Sequence, residues 1–193
     1  MSEGIFENFP TLETERLVLR NLTEEDAEQI FQYASDQDVA RYVTWDVHQT
    51  MNDTYNFIRF ALSRYEERKV APWGIVYKDE GKVIGTIDFV YWNTDHKRAE
   101  IGYVLAKAYW GKGIMTEAAS KVLEYGFNEM GLERIEARCL VENIGSERVM
   151  QKIGMTYEGT LRNCMYVKGN FRTLKVYSIL RNEYFEQKRL GVK

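Results

Sequence analysis

The 193-residue chain carries a net charge of −3 at pH 7, with a sequence pI near 5.6, and holds 13 Tyr, 9 Phe and 4 Trp. That length fits one domain with a substantial core, the aromatic content argues against disorder, and the acidic balance argues against nucleic acid or an anionic membrane as the main partner. No apolar run approaches a membrane span, residues 1–4 lack the basic and apolar regions of a signal peptide, and Cys139 and Cys164 lie far apart in predicted strands, so reduced thiols and a cytoplasmic protein are expected.

Residues 16–22 (RLVLRNL) alternate and predict the first strand. Thr23 offers an N-cap, with Glu24, Glu25 and Asp26 in the first turn of a helix reaching about residue 34. A second helical pattern spans about 51–68, with Tyr55, Phe57, Ile58, Ala61, Leu62 and Tyr65 as its apolar stripe. Between them, residues 36–50 hold Tyr42, Trp45 and His48; with two histidines and no Cys-x-x-Cys, a metal site is not expected. Three strands then meander over 73–78, 82–92 and 99–105, turning at Asp79-Glu80-Gly81 and Asn93-Thr94-Asp95.

In the third of these, Ala99, Ile101, Tyr103 and Leu105 face one way, and Glu100, Gly102 and Val104 the other. After Gly111-Lys112-Gly113 the period changes: Ile114, Met115, Ala118, Ala119, Val122, Leu123 and Phe127 make the buried stripe of a helix that Gly131 terminates. Residues 134–141 form the next strand, parallel to 99–105 because a helical crossover separates them. Residues 143–153 make a short helix ended by Gly154, and 156–167 with 171–180 a hairpin turning at Lys168-Gly169-Asn170. The seven runs predict an α+β fold: a mixed, mostly antiparallel seven-stranded sheet with helices packed on it and one central βαβ unit.

A glycine turn opening a helix leaves first-turn N–H groups at the positive end of the helix dipole, which suits a phosphate. The Walker spacing is absent, and Thr116 stands where a dinucleotide fingerprint places its third glycine, although Glu133 or Glu136 sits near its acidic position. Lys112 either adds charge to the turn or is simply solvated, and Trp110 either packs on a ligand or covers the sheet. Asn143 and Ser146 follow the parallel strand, so they either face the crevice beside the glycine turn or cap the short helix. Glu100, between apolar neighbours, is a candidate general base if enclosed and a surface partner of Lys97 or Arg98 if not; Asp88 on the preceding strand is a second candidate.

The run AEIGYVL, then Tyr109 to Ala118 (YWGKGIMTEA), Asn143-x-x-Ser146 and Lys152-Ile153-Gly154-Met155 resemble the GNAT superfamily of N-acetyltransferases. Together with the opening ETERLVLRNL and the late YEGTLR, they are most similar to its ribosomal-protein alanine N-acetyltransferase (RimJ/RimL) subgroup, over about residues 11–185 of a single 1–193 domain. The resemblance implies a GNAT-type fold with helices on both faces of the sheet and acetyl-CoA as donor, with no metal. It places the diphosphate on Trp110, Gly111, Lys112, Gly113, Ile114, Met115 and Thr116, and the pantetheine arm along Tyr103, Val104 and Leu105, with Asn143 and Ser146 beside it. The loop's usual final Gly or Ala is Met115 here, and the tyrosine that many members use as general acid is Met150. Ser146 is the proposed substitute and Glu100 the proposed base.

The implied acceptor is a primary amine, in this subgroup a ribosomal protein's N-terminal α-amine. An α-amine with a pKa of about 7.8 is roughly one-seventh neutral at pH 7, against roughly one in 2,500 for a lysine at about 10.4, so a single carboxylate suits the easier job. Small amines or antibiotics are alternative acceptors, and Tyr42 and Trp45 are expected near the acceptor. A non-catalytic CoA-binding module and a dinucleotide-binding oxidoreductase are the rival readings. A monomer or a homodimer fits, with no nucleic-acid or membrane partner.

Overall fold

A computed structural model describes residues 6–191, through which one eight-stranded sheet runs. Its spatial order is β1 (Leu12–Glu13), β2 (Leu17–Arg20), β3 (Trp73–Tyr77), β4 (Lys82–Asn93), β5 (Arg98–Leu105), β6 (Arg134–Leu140), β8 (Asn170–Leu180) and β7 (Thr156–Val167). Seven strands match the alternating runs. The eighth, β1, has only two residues, too few for a period-two pattern to register.

Alternation gives the sheet two apolar faces, each covered by helices. On one face α4 (Ile114–Asn128), α5 (Ile144–Lys152) and α6 (Arg181–Arg189) pack over Leu17, Leu19, Trp73, Phe89, Ile101 and Ile135. On the other, α1 (Ala27–Ala34), the one-turn α2 (Gln37–Ala40) and α3 (Met51–Glu66) pack over Leu22, Val76 and Val83. Helix α6 carries no periodic stripe, since Tyr184 is its one buried residue. It is held by that ring, tilted against Phe127 of α4 with centroids 4.9 Å apart, and by the Glu183 carboxylate accepting from the Leu180 N–H at 2.9 Å. No helix among the described residues is long and apolar enough to cross a membrane.

Every neighbouring pair of strands is antiparallel except β5 and β6, which pair in parallel from Arg98–Arg134 to Ile101–Ala137. Beyond that point β5 stays with β4 as far as the Gly85–Leu105 pair, while β6 stays with β8 as far as Leu140–Leu174. From Gly102 and Arg138 onward the two strands therefore part. The facing backbone edges of a wedge are left without a strand between them, an arrangement that invites an extended ligand to supply the missing hydrogen bonds.

Candidate active site

The glycine turn lies at the open end of this wedge. A short 3-10 turn, Lys107–Tyr109, leads from β5 to Trp110, whose indole Nε1–H donates back to the Leu105 carbonyl at 2.8 Å. Gly111 (φ 73°) and Gly113 (φ 75°) both adopt the left-handed conformation that an L side chain resists, and a Cβ at Gly111 would meet nothing within 4 Å. The chain thus passes open space with bare backbone. The first intrahelical bond of α4 runs from the Glu117 N–H to the Gly113 carbonyl at 3.0 Å, leaving the Ile114, Met115 and Thr116 N–H groups without a helical partner. Met115 turns its side chain into the core, where it is buried, so the residue that departs from the usual Gly or Ala does not fill the turn. The Lys112 ammonium rests 5.4 Å from the Tyr109 ring centroid, a cation–π contact on the outer side of the loop.

A second group fixes this turn, and spacing alone could not reveal it. Arg16, just before β2, donates Nη1–H to the Lys112 carbonyl at 3.1 Å and Nε–H to Glu117 Oε2 at 2.7 Å. Glu117 Oε1 accepts from the Arg16 backbone N–H at 2.9 Å and from Thr14 Oγ1 at 2.6 Å. Burial works to raise the Glu117 pKa, but these donors together hold it below the usual range. Arg16 also balances an acid that would otherwise face any anion at the start of α4. The ETERLVLRNL run is the visible trace of this clamp, yet nothing in the sequence joins position 16 to position 117.

Across the wedge, Asn143 is the N-cap of α5: its Oδ1 accepts from the Ser146 N–H at 3.1 Å. Of the two readings open in the sequence, capping is the one the geometry displays, and it places both residues at the wedge rim. The Tyr103 hydroxyl lies 3.0 Å from Ser146 Oγ and donates to the Ser146 carbonyl at 3.2 Å, so this pair spans the opening from β5 to α5. Burial raises the Tyr103 phenol above its ordinary pKa, and it stays protonated. Met150, at the position where the resemblance leads one to expect a tyrosine acid, is fully buried in the core.

On the α1/α3 face, Glu100 does not meet Lys97 or Arg98. Both its oxygens are taken by Arg138 of β6, Nε–H at 2.9 Å and Nη2–H at 2.6 Å, a two-pronged bridge from β5 to the first β6 residue beyond the last parallel pair. Asp88 sits on the same face, opposite Gly102 in the β4–β5 register. Its Oδ1 lies 3.5 Å from the point a Gly102 Cβ would occupy, and Val90 covers the remaining space. Burial pushes its carboxyl up to about 7, with the Arg64 guanidinium working in the opposite direction. In the loop between α2 and α3, Trp45 packs on the α1/α3 core and against His48, whose Nδ1 lies 2.8 Å from Thr54 Oγ1.

The Acetyltransferase (GNAT) domain family model matches residues 16–156. The chain belongs to the GNAT acetyltransferase family. It is therefore an acyltransferase, with the mixed α+β sheet of that fold. Among similar proteins, the uncharacterized N-acetyltransferase YoaA of Bacillus subtilis is 39% identical over 173 residues, covering 90% of this chain and 98% of its own length. The putative ribosomal N-acetyltransferase YdaF of the same organism is 30% identical over 178 residues, covering 90% and 96%. A solved GNAT-family acetyltransferase from Bacillus anthracis superposes with a TM-score of 0.81 at 35% identity, covering 90% of this chain and 99% of that one.

Proposed function

We propose that the chain transfers an acetyl group from acetyl-CoA to a primary amine by direct attack, with a protein N-terminal α-amine as the preferred acceptor. The observation that carries the donor reading is the parting of β5 and β6 next to a bare glycine turn and a helix start whose first N–H groups have no helical partner. The backbone of Trp110, Gly111, Lys112, Gly113, Ile114, Met115 and Thr116 would bind the diphosphate, which suits the dipole of α4 and the free N–H groups there. The edge at Tyr103, Val104 and Leu105 would pair with the pantetheine arm, although the Leu105 carbonyl already accepts from the Trp110 indole. Asn143 and Ser146 would border the thioester. A backbone N–H at the wedge apex would stabilise the oxyanion of the tetrahedral intermediate. Ser146, whose Oγ lies 3.0 Å from the Tyr103 hydroxyl, would hydrogen-bond the leaving sulfur.

The α-amine reading draws support from the relative named as a putative ribosomal N-acetyltransferase, and from the presence of one unpaired carboxylate, enough for an amine already partly neutral near pH 7. The test is thiol release from acetyl-CoA in the presence of free N-terminal peptides, N-blocked lysine peptides, polyamines and aminoglycosides. Release is expected first with the free N-terminal peptides. Turnover confined to lysine side chains or aminoglycosides would overturn the α-amine assignment, and binding of acetyl-CoA with no turnover on any amine would overturn the enzymatic one.

A further inference from the structure

Two carboxylates stand beside the wedge on the α1/α3 face of the sheet, and the geometry points to Asp88, not Glu100, as the group that receives the proton of the attacking amine. This rests on the acetyl-transfer reading and adds to it the identity of the base. Glu100 has both oxygens engaged by Arg138, and a base so held must lose charge-assisted hydrogen bonds before it can take a proton. Asp88 has no such tie. Among the described residues its carboxylate makes no hydrogen bond and no ion pair, although it is only partly exposed. A carboxylate left unpaired in such a position costs stability, and its retention calls for a role.

Its place supplies one. Gly102, opposite Asp88, is the first β5 residue beyond the last parallel pair, so the carboxylate leans over the apex of the wedge where the strands begin to part. Gly102 has no side chain to stand between Asp88 and a reacting centre at that apex. The surrounding elements leave the carboxylate's own burial dominant. From α3, Arg64 spends its Nε–H on the Val70 carbonyl, and Tyr65 donates its hydroxyl to the Pro72 carbonyl. From α1, Tyr33 is buried, and burial raises its phenol above the ordinary value, so it faces the carboxylate uncharged. From β5, Glu100 is balanced by Arg138.

The step balances as follows. The amine nitrogen forms a C–N bond to the thioester carbonyl carbon, one N–H proton passes to an Asp88 oxygen, and the C–S bond breaks with its electron pair going to sulfur. The thiolate takes a proton from water to become the free thiol, and Asp88 returns its own proton to water, so that the proton lost by nitrogen is matched by the one gained by sulfur. An acceptor arriving as an ammonium first loses a proton to the same carboxylate, which passes it to water before the neutral amine attacks.

Asp88→Asn keeps shape and removes the base. The expected result is a fall in kcat of about 10²–10⁴-fold, a KM for acetyl-CoA little changed, and loss of the rate inflection near pH 7. Glu100→Gln is expected to keep that inflection. Thermal unfolding separates catalysis from structure. A carboxyl whose folded pKa is raised from 3.8 to about 7 favours the fold below pH 4 and loses that contribution as pH rises through 7. Asp88→Asn should therefore melt at or above the wild-type temperature at pH 8 while being nearly inactive, whereas a merely structural Asp88 would melt lower when replaced. Wild-type-like kcat in Asp88→Asn, or loss of the inflection in Glu100→Gln instead, overturns the assignment. A wild-type protein that binds acetyl-CoA and acetylates no amine overturns the underlying reading and is recognised before either variant is made.

Discussion

Replacing Trp73 by alanine is expected to lower stability by about 3–5 kcal/mol, the range for removing a fully buried aromatic side chain. Trp73 is completely buried, and its ring lies 4.8 Å from Phe9, 6.1 Å from Phe89 and 5.8 Å from Tyr125 between centroids. It joins the N-terminal segment, the sheet and α4 in one aromatic cluster. Its Nε1–H donates to the Pro10 carbonyl at 2.7 Å, so alanine would leave both a cavity and a partly buried carbonyl without its donor. The measurement is the urea midpoint, with the slope unchanged. Trp73→Phe, which keeps most of the volume and loses only the N–H, should cost markedly less. A midpoint in Trp73→Ala within error of wild type would mean that the 6–12 segment does not close over the core as described.

Gly85→Ala should damage function more than its single methyl group suggests. A Cβ at Gly85 would stand 2.3 Å from the Val104 carbonyl oxygen and 3.0 Å from the Leu105 Cα, both backbone atoms that cannot rotate away. Gly85 pairs with Leu105, the last rung holding β5 to β4 beside the wedge. The methyl must push the end of β5 outward by a sizeable fraction of an ångström, at a typical overpacking cost of about 1–3 kcal/mol. The same displacement moves the edge proposed to pair with pantetheine. Misplacement on this scale can cost about 10²-fold in rate, so kcat/KM for acetyl-CoA is expected to fall by about that factor while the protein remains folded at 25 °C. A variant with unchanged kcat/KM would show that the Val104–Leu105 edge does not position the donor.

The fold was legible wherever alternation or helical periodicity ran for several turns of pattern. The β5–turn–α4 unit is the clearest case: the switch of period at Gly113 places the strand, the turn and the helix start within a residue or two of where they lie. What escaped was short or sustained from outside. β1 is two residues long and α2 a single turn, while α6 has a polar sequence and owes its place to the Tyr184 ring against Phe127. The site divides in the same way. The glycine turn and the Asn143 cap are local, and sequence carried them. Arg16 on Glu117 and Arg138 on Glu100 link residues 101 and 38 positions apart, which a single sequence does not pair. The ambiguity between Glu100 and Asp88 could not be resolved from their neighbours, because Arg138 reaches Glu100 only through the parallel register of β6 beside β5.

The central claim is that the turn before α4 holds the diphosphate of an acetyl-CoA whose thioester lies in the β5/β6 wedge. Calorimetric titration with acetyl-CoA and with S-acetylpantetheine, which keeps the thioester arm and lacks the diphosphate and nucleotide, tests it most directly. Two or more charge-assisted hydrogen bonds from the turn, at about 1.5–3 kcal/mol each, predict that the truncated donor binds at least about 10²-fold more weakly. Equal affinity for the two donors would contradict the account, because the bare glycine turn would then contribute nothing to holding the donor.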